Sequence, residues 1–383
     1  MMQKAIARAG LYVHVPFCER LCPYCDFYSR IAAPGEIDRY IEALGAEARL
    51  QADSVFGDFA YDSVFFGGGT PSILTDTQVG RLYDHLTASF NITPQSEITI
   101  ECNPCTLNKS KLRAYARLGT NRISLGIQSF GDRHLQKLGR VHDSKAAVES
   151  FLLARDAGFD NISIDLIYGL PGQTLAEWEL DLGRAVDLQP AHISAYNLII
   201  EPETPFGELY ARGRLRLPSE KMQSRMYDLL NGILEEAGYR RYEISNFAKQ
   251  GLECRHNLKY WHLDPYLGLG PAAVSFDGAT RTRNINDLGQ YLQAAQDDKL
   301  PPADSEAIDS NKLREETIMM GLRLADGLNL ADLKDRFAYD LLADKGDIIE
   351  SLVKTDCIAV RDGYLKLMQK SLFVSDEIIV KLI

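Results

Sequence analysis

No stretch of this 383-residue chain approaches the length of a membrane span, so a helical membrane protein is not expected. Residues 1–10 carry Lys4 and Arg8 but no apolar core region, which argues against a signal peptide. Positive charge is in deficit. Forty-two Lys and Arg against 53 Asp and Glu leave a formal net charge of −11 and a pI near 5.2. That balance excludes a general nucleic-acid or polyanion binder. Seven cysteines are an odd number and show no disulfide framework, so a reducing compartment, the cytoplasm, is expected. A Cys-x-x-Cys-His haem-attachment motif is also lacking.

What is present is a group of three cysteines, Cys18, Cys22 and Cys25, spaced C-x-x-x-C-x-x-C directly after an apolar, strand-like run over 11–17. Three thiolates from one short loop can hold three corners of a cubane [4Fe–4S] cluster and leave the fourth iron open to another molecule. An open metal position marks a reacting or exchangeable ligand, whereas a closed one serves structure. A zinc knuckle wants a fourth ligand, and His14, on the strand before the loop, is poorly placed to be one. Unrelated buried thiols would not be bunched between Pro16 and Pro23. The cluster is the stronger reading.

Apolar β-rich runs at 11–17, 62–66, 97–101, 122–128, 161–167 and 192–199 alternate with helical patterns at 37–52, 77–90, 109–118, 144–157 and 175–188. Strand, crossover and strand repeated in this way predict right-handed βαβ units and a parallel sheet. Six units make a partial (β/α)6 barrel, and chemistry gathers at the C-terminal ends of barrel strands. The cysteine loop follows the first strand and Gly67-Gly68-Gly69-Thr70-Pro71 the second. Glu101, Gln128-Ser129 and Asp165 fall at the ends of the next three. Five polar features in register predict one site on one rim.

Beyond residue 199 the pattern changes. A helix is expected over 219–237 and a strand over 241–245, followed by a polar, aromatic stretch at 254–261. Pro301-Pro302 reads as a boundary, with helices near 311–323, 330–337 and 345–354 beyond it. Asp362-Gly363 predicts a hairpin, and a last helix covers 375–382. The order resembles a small winged-helix-like α+β domain. Its helices carry Asp332, Asp335, Asp340 and Asp344 without a basic stripe, so DNA binding is not expected. Three units follow: 1–200 for the barrel, 201–300 for an extension and 301–383 for the terminal domain.

Gly67–Gly69 remove side chains where a backbone approaches a ligand, although a flexible turn reads the same way. Glu101 and Asp165 lie in apolar runs, where a carboxylate without partners is costly. Ligand hydroxyls or amines can be those partners, as can a helix N-terminus or an ion pair. Cys102 and Cys105 form an unmatched C-x-x-C, best read as free thiols. From spacing alone His256 reads best as a structural histidine. An iron ligand is the alternative, with Tyr260 and Trp261 as cover for a flat macrocycle and Cys254 as a second ligand.

The three-cysteine motif after Tyr12-Val13-His14-Val15-Pro16-Phe17, with the Gly-Gly-Gly-Thr-Pro run, resembles radical S-adenosylmethionine (SAM) proteins. The stretches 122–130 and 165–174 resemble the oxygen-independent coproporphyrinogen III oxidase family, over nearly the whole chain. The resemblance implies that Cys18, Cys22 and Cys25 hold the cluster. It implies SAM contacts at Tyr12, Tyr24, Gly68, Gly69, Thr70, Glu101, Gln128, Arg140 and Asp165. Two departures matter. The oxidase has a further cysteine two places after the third ligand, where this chain has Phe27, and a longer arm before its loop, where this chain has 17 residues. Both are similar to the HemW branch, whose members resemble haem chaperones and share a His-Asn-x-x-Tyr-Trp motif, here residues 256–261. That likeness implies haem binding with His256 contributing, and delivery to haem-requiring acceptor proteins such as respiratory enzymes at the membrane. The rival expectation is a radical enzyme that cleaves SAM and acts on a porphyrinogen propionate.

Overall fold

The structure is a computed structural model, and it describes residues 6–383. Six parallel strands lie side by side in chain order: β1 (Arg8–Val15), β2 (Ala60–Gly68), β3 (Asn91–Cys102), β4 (Arg122–Gln128), β5 (Ile162–Tyr168) and β6 (His192–Asn197). Between and after them run the helices Glu36–Ala52, Asp76–Ser89, Lys109–Arg117, Ser144–Asp156, Leu175–Asp187 and Glu220–Glu236. Local chemistry sets where several of these begin. Thr75 with Gln78, and Thr174 with Glu177, form reciprocal capping boxes, while Asn108, Asp143 and Ser219 each accept one backbone N–H.

The strands alternate in character. One face carries Val13, Val64, Ile100, Leu125, Ile164 and Ile193, all buried in one continuous core with Leu44, Leu86, Phe151, Trp178 and Leu230 of the helices. Each such aliphatic or aromatic side chain contributes about 1.5–3 kcal/mol on burial. The opposite face lines the barrel with small and polar side chains, among them Ser63, Thr99, Ser124, Ser163 and Ser194. A barrel lined by serine and threonine leaves room inside. The fold is therefore the partial (β/α)6 barrel expected from the alternation.

The barrel does not close. Beyond β6 the short antiparallel strands β7 (Arg240–Arg241) and β8 (Asn246–Ala248) form one edge. On the other side β9 (Tyr266–Leu269) pairs parallel with β1, followed by antiparallel β10 (Val274–Phe276), β11 (Thr280–Asn284) and β12 (Ala303–Ala307). The helix Arg255–His262 packs against β1 and β2 on the barrel's inner side. The terminal unit has the winged-helix order: helix Ser310–Arg323, β13 (Leu328–Asn329), helices Leu330–Phe337, Leu341–Asp344 and Gly346–Lys354, then the hairpin β14 (Ile358–Arg361) and β15 (Tyr364–Leu367). Asp362 and Gly363 take φ of 53° and 82°, as the tight turn requires. The helix Ser375–Leu382 ends the chain.

Three expectations are corrected. β1 stops at Val15 because Pro16 has no N–H to continue the ladder, and Phe17 forms only an isolated bridge to Arg30. Residues 241–245 are not one strand. The Tyr242 N–H donates to the Asn246 carbonyl, which turns Glu243 inward between β7 and β8. Pro301-Pro302 is not the boundary either, since β12 continues the barrel sheet as far as Ala307.

Candidate cofactor site beside the cysteine loop

The loop carrying Cys18, Cys22 and Cys25 is tied at its base. The Cys18 N–H donates to the Arg30 carbonyl at 2.9 Å, and the Arg30 N–H to the Pro16 carbonyl at 2.8 Å. All three thiols are free and half-buried. Burial pushes the Cys18 thiol up and the Cys25 thiol up to about 11, so both ask for a cation before they ionise. His14 is unavailable as a further ligand. Its Nε2 faces the Tyr28 carbonyl at 2.8 Å and its Nδ1 the Tyr12 hydroxyl at 3.1 Å.

The glycine run packs against this loop. A side-chain carbon on Gly69 would stand 2.7 Å from the Phe17 carbonyl oxygen and 3.0 Å from Cys18 Sγ. On Gly68, whose φ is 106°, it would meet the His14 ring at 2.7 Å. These glycines make room for the cysteine loop as well as for a ligand.

A polar chain then runs from the rim to the sulfurs. Arg140 Nη2 donates to the Gly126 carbonyl at 2.8 Å and to Asn103 Oδ1, while its Nη1 lies 3.7 Å from Cys22 Sγ. Asn103 Nδ2 donates to Thr70 Oγ1 at 3.0 Å, and the Thr70 hydroxyl points at Cys18 Sγ at 3.5 Å. A guanidinium and a hydroxyl aimed at two of three thiols suit a centre that carries negative charge. These residues fit an iron–sulfur cluster.

Next to the loop opens a cavity of about 460 Å³. Of the residues expected from the sequence, Tyr24, Gly68, Gly69, Thr70, Glu101, Gln128, Arg140 and Asp165 line it, together with Cys25. Burial, and then the neighbouring Asp165, push the Glu101 carboxyl up to about 8. Asp165 is also raised by burial, although Ser124 donates to it at 3.1 Å. Two carboxyls that burial makes reluctant to ionise, despite the nearby Arg122 guanidinium, suit a ligand bearing ammonium or sulfonium charge. Gln128 holds φ of 69° where the β4–β5 register slips, a left-handed backbone of the kind found at binding sites.

Tyr12 and His256 are not on that lining. Tyr12 lies deeper, its ring stacked with Phe65 at 6.2 Å and with His256 at 6.3 Å. His256 is 1% exposed, with Nδ1 at 2.9 Å from Ser63 Oγ and Nε2 at 2.9 Å from the Tyr260 hydroxyl. Burial pushes its imidazole down to about 3, so it is neutral. Cys254, a second ligand only in the alternative iron-ligand reading, is fully buried against Glu97, and burial pushes its thiol up to about 12. Cys102 is buried behind the rim, and Cys105 is exposed.

Asn103, Tyr196, Asn197 and Ile199 also line the cavity and were not anticipated. Asn103 follows Glu101 on the same rim, and Tyr196 and Asn197 end the sixth strand. The rule of strand ends, carried one strand further, would have found them.

A partial barrel with an open three-cysteine loop at the end of its first strand defines a radical SAM protein, and the Radical SAM superfamily matches residues 12–184. The HemN C-terminal domain family matches residues 308–374. The fold is similar to that of the coproporphyrinogen III oxidase HemN of Escherichia coli, with a TM-score of 0.84, 24% identity, and coverage of 98% of this chain and 90% of that one. Within that superfamily the chain belongs to the HemW family of haem chaperones. It is 35% identical over 368 residues to the heme chaperone HemW of Bacillus subtilis (strain 168), covering 96% of this chain and 97% of the relative. With the HemW of Escherichia coli (strain K12) it shares 38% over 306 residues, covering 75% and 78%. Membership implies a [4Fe–4S] cluster and SAM as cofactors. No helix among the described residues is long and apolar enough to cross a membrane.

Proposed function

We propose that this chain binds haem and passes it to haem-requiring acceptor proteins, respiratory enzymes at the membrane among them, from a radical SAM core. In this reading Cys18, Cys22 and Cys25 hold the cluster, and Tyr24, Gly68, Gly69, Thr70, Glu101, Gln128, Arg140 and Asp165 take SAM. The observation that carries it is the continuity of two cavities. The cofactor cavity shares Tyr196, Asn197 and Ile199 with a second cleft, and that cleft is lined by Asn257, Tyr260 and Trp261 of the His-Asn-x-x-Tyr-Trp motif. At the mouth of the first cavity the place of the oxidase's extra cysteine is held by Phe27, 60% exposed and without thiol chemistry to offer. The seven free cysteines suit a reducing compartment, and we place the protein in the cytoplasm.

The test is anaerobic reconstitution of the cluster, then haem titration, transfer to an apo-acceptor and coproporphyrinogen turnover on the same sample. Stoichiometric haem that moves to the acceptor, without decarboxylation, is the expected result. Decarboxylation coupled to SAM cleavage would overturn it.

A further inference from the structure

We infer that the tetrapyrrole lies in the second cleft with a propionate on Arg323, and that His256 positions the motif rather than binding iron. The inference rests on the haem reading above and goes further in naming the site, the recognition group and the role of the histidine.

The cleft has a volume of about 510 Å³, within the ~300–1,000 Å³ of small-molecule cofactor sites. It lies between the ends of β5 and β6, the helix Arg255–His262 and the terminal unit, and six aromatic side chains are among its lining residues. Tyr168 and Tyr227 stack at 6.3 Å and 29°, Phe373 packs on Tyr227 at 6.4 Å, and Tyr260 and Trp261 face them from the motif helix. Flat, polarisable walls suit a flat conjugated macrocycle. Exposed Ile199 marks the junction with the SAM cavity.

Among the described residues Arg323 is the single cationic side chain on the lining, beside the carboxylates of Glu243 and Asp376. It ends the helix Ser310–Arg323, and its guanidinium pairs with Asp376 at 2.7 Å. That partner is 76% exposed while Arg323 is 24% exposed, so the pair is a weak surface one, exchangeable for an incoming carboxylate. A guanidinium takes a carboxylate through two parallel hydrogen bonds. One cation facing two carboxylates accommodates haem, with two propionates, better than a porphyrinogen with four.

His256 is excluded from iron by geometry. Both ring nitrogens are engaged inside the barrel, whereas the next turn of the same helix reaches the cleft. Its Nε2 holds the Tyr260 hydroxyl at 2.9 Å, so it acts on the cleft through Tyr260. Gly10 marks the tightness of the fit, since a side-chain carbon there would stand 3.0 Å from the imidazole.

The experiment compares haem with haem dimethyl ester on full-length, cluster-loaded protein, with cluster content and thermal unfolding as folding controls. Wild type should prefer haem by roughly 10–100-fold, the worth of a charge-assisted hydrogen bond. Arg323→Leu should lose that preference, Arg323→Lys should keep part of it, and Asp376→Asn, which frees the guanidinium, should bind haem more tightly. An Arg323→Leu protein that keeps the wild-type ratio would overturn the site while leaving the haem reading intact. A folded wild type that binds no haem would overturn both. His256→Gln should leave the electron paramagnetic resonance signature of the bound iron unchanged. Loss of that signature, with recovery on adding imidazole, would make His256 the ligand and sink the positioning role.

Discussion

His256 Nδ1 stands 2.9 Å from Ser63 Oγ, so a motif late in the chain is fastened to the second barrel strand. Glu97 on β3 completes the attachment. Its carboxylate accepts the backbone N–H groups of Arg255 and His256, each at 3.2 Å, and so caps a helix whose own preceding residue, Cys254, provides no side-chain cap. His256→Ala should therefore cost about 3 kcal/mol, through a cavity and two orphaned hydroxyls. Ser63→Ala should cost only about 1 kcal/mol. Chemical denaturation of the two variants separates them, and equal, negligible losses would contradict the anchor.

Glu101 links the site to pH. Its carboxyl, pushed up to about 8, is protonated at pH 7 in the free protein, and a bound cation favours the carboxylate. SAM binding should then release up to one proton at pH 7, and Glu101→Gln should abolish the release. Calorimetry in two buffers of different ionisation enthalpy measures this, and identical heats for the wild type would refute it. The same shift predicts a stability effect. Because the folded value exceeds the ordinary 4.5, the contribution is full below that pH and is lost as pH rises through about 8.

Arg140 sets charge beside the cluster loop. Replacing it with Leu removes the donor 3.7 Å from Cys22 Sγ and the link through Asn103 to Thr70. The cluster potential should move negative, on the order of tens of millivolts, because a cation that favours the reduced form is gone. A redox titration followed by electron paramagnetic resonance decides the sign. A positive shift would be inconsistent with this role.

Two glycines make a matched pair. Gly69→Ala puts a carbon 2.7 Å from the Phe17 carbonyl and should lower cluster content several-fold. Gly80, inside the helix Asp76–Ser89, has open space around it, and Gly80→Ala should stabilise by about 0.5–1 kcal/mol. Iron content and thermal unfolding of both variants check the contrast.

Much of the barrel was legible because strand and helix periods are local. Residues 122–128 and 330–337 fall where their patterns end, and capping side chains mark the helix starts. The rim was legible for the same reason, since strand ends and their polar residues occur together in sequence. The edge strands β9 to β12 were not, because at three to five residues each they carry too little period to register. The stretch 241–245 misled because its alternation is that of a strand while Glu243 is needed inward.

The chain by itself marked the three-cysteine loop, the six βα units and the polar residues of one rim, because spacing and periodicity encode them directly, whereas SAM as the ligand of that rim came from the family resemblance alone. It could not say what His256 does. Spacing alone favoured a packed side chain and the family resemblance favoured haem binding, and neither could decide before the imidazole's neighbours were known. Only the tertiary structure, which brings Ser63 and Glu97 from distant strands to within hydrogen-bond distance, turns that histidine inward and leaves Tyr260 and Trp261 facing the cleft.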